Sequence, residues 1–240
     1  MRNVFSPSAL GLAHEYISTE QNGLHSYGGS QSAHPDATMR ACGCGVIAGL
    51  DVILYLSRHS GGTCPFAAGE DGQSVPLSVY NSFASRLRRG FLPLIPGRGI
   101  NGLMLTGGLE LFFLRWRMPY SIHWGARSGS LFENIELMLM RDIPVILAVG
   151  PNFPLFWQKN NLPFYRRESD GTLVKSCTAR AHYVVVTGMD EEWLRISSWG
   201  REYYINRGEY MAYGRKHSLP ILNSIAVILS LIHISEPTRH

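Results

Sequence analysis

The chain predicts an α+β fold, with N-terminal helices packed on an antiparallel sheet, and three observations carry that expectation. Between about residues 44 and 140, apolar side chains recur at three- and four-residue steps, the period of helices with one buried face. From residue 144 onward they fall into short β-branched runs and alternating stretches, the pattern of strands. These late segments follow one another through short polar turns such as Asp190-Glu191, which suits an antiparallel meander.

In order, residues 1–38 are polar and glycine-rich and read as loop, with at most a short helix near Ala9–Tyr16. The stretch Met39–Leu56 organises the rest. Val46, Ile47, Leu50, Ile53 and Leu54 mark a helix from about Cys44 to Ser57, ended by Gly61-Gly62, and 60–76 read as loop. Ser78–Arg89 carries Val79, Phe83 and Leu87 on one side of a second helix. Two prolines in Phe91–Pro96 argue against a central strand there. Leu103–Trp116 reads as a third helix, Pro119–Trp124 as a short strand, Leu131–Met140 as a fourth helix closed by Asp142, and Pro144–Val149 as a buried strand. Residues 151–180, rich in aromatics and prolines, read as a long connection of the kind that folds over a site. Ala181–Gly188 is a clear strand, followed by Trp193–Trp199, Arg201–Asn206 and a closing strand within Ile221–Ile228.

With 45% hydrophobic and 17% charged residues over 240 positions, the chain can bury a sizeable core as one domain, expected over 1–228. Leu229-Ser230-Leu231-Ile232-His233-Ile234-Ser235-Glu236-Pro237-Thr238-Arg239 is what a transposase adapter used in sequencing libraries encodes when translated. Residues 229–240 are therefore expected to be non-native, and His233 is no site candidate. The net charge of +4 is mild, and the basic groups (Arg86, Arg88 and Arg89; Arg115 and Arg117; Arg166 and Arg167) are scattered, so no nucleic-acid partner is expected. Met1–Pro7 lacks the apolar core of a signal peptide, and no run of about 18 apolar residues offers a membrane span. The four cysteines, two of them separated only by Gly43, do not form a disulfide framework, which points to a reducing cytoplasm.

No cofactor or metal is expected. Gly97-Arg98-Gly99-Ile100-Asn101-Gly102 matches the dinucleotide glycine pattern in form, but the strand before it and the strand–helix–strand unit around it are missing. Cys42, Cys44 and Cys64 lack the paired spacing of zinc ligands.

The chemistry points elsewhere. A thiol at a helix mouth meets unpaired backbone N–H groups and the positive end of the dipole, which favour thiolate and are expected to bring Cys44 below the free value of about 8.5. The same pattern also suits small cysteines that only fill a helix start. His182 opens the β-branched run Tyr183-Val184-Val185-Val186-Thr187, so its backbone is fixed and its imidazole suits a general base. A strand-end histidine bonded to backbone is the plainer alternative. The hairpin through Met189–Glu192 returns Ile196-Ser197-Ser198-Trp199-Gly200 beside it, where a hydroxyl or amide can hold the ring in one tautomer.

Gln31, then Cys44 at a helix start, then a distant His182 opening a strand, then Ser-Ser-Trp-Gly on the next strand, stand in the order of the papain-like cysteine peptidases. From Tyr27 to Tyr213 the chain resembles that superfamily, most closely its bacterial C39-like branch. The resemblance implies a papain-like fold, Cys44 as nucleophile, His182 as base and later acid, Gln31 as oxyanion donor beside the Cys44 N–H, and Ser197 as the group orienting His182. Ser197 stands where papain relatives carry asparagine, a departure that invites help from Ser198 or Asp190. Gln31 lies further ahead of the cysteine than in papain. Cys42-Gly43 also resembles the Cys-Gly start of the C39-like branch; Cys44 is preferred because helical periodicity begins directly after it. Cys64 and Cys177 read as bystanders, and Asp51, on the helical face of Cys44, as a buried polar group satisfied by a neighbouring loop. The implied activity is a thiol hydrolase or acyltransferase on a peptide or amide substrate, with 151–180 as one wall of the cleft. The alternative is a catalytically weak or inactive binding or regulatory module on the same scaffold.

Overall fold

Gly43 divides the chain between α1 (Ala37–Cys42), whose N-terminal Asp36 carboxylate accepts the Met39 N–H at 2.9 Å, and α2 (Cys44–Ser57). A computed structural model describes residues 8–11, 16–58, 64–66, 74–125 and 131–231. Every residue of α2 from Gly45 to Leu56 is buried. The single buried face expected from periodicity has become burial all round, because two helices cover the side that the sheet leaves open. These are α3 (Leu77–Gly90) and α4 (Gly102–Arg115), the latter capped by the Asn101 side chain on Met104 N at 2.9 Å.

The sheet has seven strands, all paired antiparallel. At its centre lies β9 (His182–Met189), which α2 crosses. Beyond β9 come β10 (Trp193–Ser198), β11 (Arg201–Asn206), β7 (Leu162–Arg167) and β8 (Leu173–Ala179). Two strands meet β9 at opposite ends: β1 (Ser8–Ala9) with Ser8 opposite Met189, and β6 (Val145–Val149) with Val149 opposite His182. The wholly buried β6 and the nearly buried β9 give the core its β-branched centre. Helix α5 (Leu131–Met140) packs on β9 and β6, and α6 (Arg207–His217) on β11 and β7. Two α6 tyrosines pin the end of β6, Tyr210 Oη donating to Ala148 O at 2.9 Å and Tyr213 Oη to Gly150 O at 2.8 Å. Two small sheets complete the fold: β2 (Ser18–Gln21) between β3 (Leu24–His25) and the parallel β4 (Ser74–Pro76), and β5 (Tyr120–Trp124) with β12 (Ala226–Ser230).

The mixed α+β architecture with an antiparallel sheet agrees with the expectation. Several elements differ. Residues 151–180 are not a structureless connection, since they contain the β7–β8 hairpin. Ser8–Ala9 is a strand and not part of a helix, and the rest of the helix expected near Ala9–Tyr16 falls partly on residues 12–15, outside the described residues. The closing strand starts only at Ala226 and continues into Leu229 and Ser230, whose partners are Ser121 and Tyr120. Ladder bonds join backbones, so they form there whatever the origin of the side chains. The remainder of that tail, 232–240, lies outside the described residues, as does most of the expected loop 60–76. Among the described residues no helix is long and apolar enough to cross a membrane.

The loop Tyr27-Gly28-Gly29 runs between α2 and the start of the β10–β11 turn. Gly28 has φ +76°, and a Cβ there would lie 2.0 Å from Ser197 Oγ and 2.7 Å from Asp51 Oδ2. Both oxygens are tied by hydrogen bonds and cannot retreat. Gly28→Ala is therefore expected to destabilise the protein by about 2–4 kcal/mol. On α4, where a Cβ at Gly107 meets nothing within 4 Å, Gly107→Ala should add about 0.5–1 kcal/mol. Urea unfolding midpoints check both, and comparable small shifts at the two positions would refute the close approach at Gly28.

Candidate active site

Cys44 is the first residue of α2 and, as a residue, is half-buried. The first N–H groups of a helix lack partners within it. Here the N–H groups of Cys44 and Gly45 turn to the sulfur, together with that of Tyr183 on β9. The contact with Tyr183 brings the helix mouth to the residue next to His182. Cys44, His182 and Gln31 line one pocket with Asp51, Ser197 and Ser198.

His182 is 8% exposed, and its Nε2 lies 2.8 Å from Ser198 Oγ. The ring stacks on Trp199, centroids 4.4 Å apart and planes 16° apart. If Nε2–H donates to Ser198, Nδ1 is left unprotonated, the tautomer a base needs to take a proton from a thiol. Trp199 (φ +50°) and Gly200 (φ +74°) form a two-residue hairpin turn of the type with both central residues left-handed, joining Ser198 to Arg201. Ala181, directly before His182, is also left-handed at φ +46°. Two non-glycine residues in this sparsely populated region thus flank the imidazole.

The expectation that Ser197 orients His182 is corrected: Ser197 Oγ donates to Tyr27 O at 2.9 Å, and the hydroxyl at the imidazole belongs to Ser198. The cause is a β-bulge. Arg195 pairs with Gly188, but Ile196 pairs with Val186 and Ser197 with Val185, so Thr187 is the extra residue. A regular ladder would have set Ser197 opposite Val186, on the face of His182. The slip of one residue exchanges the faces and delivers Ser198 instead. Thr187 is held in its bulge by Tyr27 Oη, which donates to its Oγ1 at 2.8 Å, and by Leu10 N and Arg195 Nη2, which donate to its carbonyl at 3.2 and 3.1 Å. Asp190 is remote from this chemistry and caps the hairpin turn, its Oδ1 accepting from Glu192 N and Trp193 N.

Gln31, in a 3-10 turn (Gln31–Ala33), gives one N–H of its amide to Arg40 O at 2.9 Å, which leaves its second N–H for the cleft. Cys42 ends α1 with its thiol on Thr38 O at 3.2 Å and, like Cys44 and Gln31, borders the open cleft beside His182. Cys64 and Cys177 line neither this pocket nor the clefts beside it. Among the described residues no three His, Cys, Asp or Glu side chains group as metal ligands. The Gly97–Gly102 run follows no strand; it folds back on itself through an Ile95–Gly99 bridge before α4 begins.

Two open chambers meet at His182 and Tyr183. One of about 540 Å³ holds Cys44, Gln31, Arg98 and Arg180. The other, about 780 Å³, is walled by Trp124, Val149, Phe156, Ile221 and Leu222. The 151–180 segment contributes Phe156 and Pro151 to the second and Asn161 and Thr178 to the first, so it does border the site.

Burial governs the protonation states. It pushes the Cys44 thiol up, against the backbone N–H groups that pull it down, so the depressed thiol expected from the helix mouth alone is corrected. Burial also lowers His182 to about 4. Asp51, 2% exposed, accepts Tyr80 Oη at 2.6 Å and Gly29 N at 3.1 and 3.0 Å on its two oxygens, yet burial still raises it to about 7. As expected, a neighbouring loop satisfies it. No family model, curated protein or solved structure matches the chain.

These shifts oppose each other in stability. Between about pH 4 and 6.5 the unfolded chain protonates His182 and the native protein does not, so this group lowers stability as pH falls. Native Asp51 keeps a proton that the unfolded chain loses above its ordinary value of 3.8, so stability falls as pH rises toward 7. Asp51→Asn removes only the second effect. Its stability relative to the unsubstituted protein should climb by on the order of 4 kcal/mol from pH 4 to pH 8, read by urea unfolding across that range. A flat difference would mean that Asp51 is ionised in the folded protein.

Proposed function

We propose that the protein is a papain-like thiol hydrolase, cleaving or transferring the acyl group of a peptide or amide through Cys44 and His182. The observation that carries the reading is the imidazole: bonded through Nε2 to Ser198, stacked on Trp199, and sharing a pocket with a thiol at a helix mouth. As the substrate carbonyl is approached, His182 takes the Sγ proton and the sulfur adds to the carbonyl carbon. The resulting oxyanion is met by the Cys44 N–H and the remaining Gln31 N–H. Collapse breaks the C–N bond, and the imidazolium proton goes to the departing nitrogen. The thioester is then attacked by water, or by an amine in a transfer, with His182 again taking and returning the proton.

Thiol and imidazole are both neutral at rest, so proton transfer accompanies attack and does not precede it. The same neutrality also favours a second reading, a peptide-binding module that has no turnover. A peptide library incubated with the full chain and examined by mass spectrometry separates the two. The hydrolase reading expects cleavage by the unsubstituted protein, loss with Cys44→Ala, and a decrease of about 10²- to 10⁴-fold with His182→Ala. Intact peptides retained equally by the unsubstituted protein and Cys44→Ala would instead establish the binding module.

Two variants separate the serines. Ser198→Ala should lower kcat at least tenfold, short of the roughly 10⁴-fold lost when a serine triad holds the wrong tautomer. Ser197→Ala should act chiefly on stability, by about 1–2 kcal/mol, because it leaves the part-buried Tyr27 carbonyl unpaired. The acid limb of kcat/KM should rise with pH near 4, where His182 loses its proton, and a limb near 6.5 would refute the buried imidazole.

A further inference from the structure

The chamber that holds Cys44 is asymmetric in charge. Its lining residues include two exposed arginines, Arg98 and Arg180, and no Asp or Glu among the described residues. The apolar chamber across His182 also lacks a carboxylate among its lining and shares Arg98. The arginines come from separate parts of the chain. Arg98 sits at the tip of the Ile95–Gly99 turn, closed by Ile95 N to Gly99 O and Gly99 N to Ile95 O, each 2.8 Å, with Gly97 and Gly99 left-handed at φ +73° and +75°. That turn rests against the end of α1, where a Cβ on Gly99 would be 3.1 Å from Cys42 O, two residues before the nucleophile. Arg180 lies two residues before His182, and its Nη1 donates to Asn161 Oδ1 at 3.0 Å. This contact orients the guanidinium and leaves most of its donors unused. The N-terminus of the 14-residue α2 opens into the same chamber and adds positive potential.

Resting on the hydrolase reading, we propose that the Arg98–Arg180 side of the cleft binds a carboxylate of the molecule whose acyl group Cys44 attacks. Guanidinium groups recognise carboxylates by paired N–H donors, and a concave site of one charge raises the local concentration of the opposite ion by about 10- to 10³-fold. Two carboxylates have this chemistry, an Asp or Glu side chain beside the scissile amide and the C-terminus of a short peptide.

The test has one arm that needs no turnover. Cys44 is alkylated with iodoacetate and, separately, with iodoacetamide, and the ratio of the two rate constants is divided by the same ratio for N-acetylcysteine. The expected value is at least about tenfold above one, falling toward one in the Arg98→Ala/Arg180→Ala double variant and as salt rises from about 0.05 to 0.5 M. The Arg98→Lys/Arg180→Lys double variant should retain most of it. A ratio of one in the unsubstituted protein, or one that survives the double alanine substitution, overturns the carboxylate site. The second arm compares cleavage of peptides carrying Asp or Glu with their Asn or Gln counterparts, and of free-acid with amidated C-termini, which tells the two carboxylates apart. A normal alkylation ratio with neutral peptides cleaved overturns the carboxylate site and leaves the hydrolase. A raised ratio that depends on the arginines, with no peptide cleaved, does the reverse.

Discussion

A buried carboxyl group holds the two halves of this molecule in register. Asp51 projects from α2 two turns beyond Cys44, and both its oxygens accept the Gly29 N–H while Tyr80 Oη donates to Oδ1. The loop that supplies Gly29 is in turn stitched to the hairpin beside His182: Ser197 Oγ donates to Tyr27 O, Tyr27 N to Gly200 O, and Gly200 N to Gly29 O. Helix and hairpin are separated by some 140 residues of chain, yet they share three loop residues as a common brace. An unpaired polar group in this interior would cost about 1–3 kcal/mol, so each bond in the brace penalises relative movement of the two elements. Burial raises Asp51 to about 7, and below that pH the neutral carboxyl escapes most of the desolvation that an ion would suffer there.

On the hairpin side, strain serves the same end. Trp199 takes a left-handed conformation to make the tight turn, and that turn lays its indole flat on the imidazole. Ala181 turns the chain in the same unusual way before β9 begins. Conformations of this kind cost about 1–3 kcal/mol each and persist only where surrounding contacts enforce them. Here the enforcing contacts are the Gly200 bonds to the loop and the Val149–His182 pairing with β6, whose end α6 holds by two tyrosine hydroxyls. A ring fixed from two sides in this way has little rotational freedom.

Much of this could be read from residue order. The bounds of α2 follow from periodicity after Gly43, and β9 from an unbroken β-branched run, because both elements are core and their patterns are dense. Two kinds of feature escaped. Elements whose burial rests on a few large side chains gave weak patterns: α6 buries mainly Tyr210 and Tyr213 amid charged residues, and β7 carries Pro163 and two exposed arginines. Effects decided by tertiary contact left no local mark. The bulge at Thr187, which exchanges Ser197 for Ser198, is set by partners at Leu10, Tyr27 and Arg195. The thiol's protonation is likewise decided by what buries it, which outweighs the helix mouth.

Burial acts on thiol and imidazole in the same sense, against charge, and this shapes the chemistry open to them. Before substrate binds, a proton moving from Cys44 to His182 would create two ions in a place where burial opposes both charges. That separation becomes accessible only if one of the charges is consumed as it forms. Addition of sulfur to a carbonyl does this, passing the negative charge to an oxygen that the N–H groups of Cys44 and Gln31 can meet. The imidazolium remains until its proton reaches the departing nitrogen. A thiol kept neutral at rest is also less open to stray alkylation and oxidation, since both follow thiolate character.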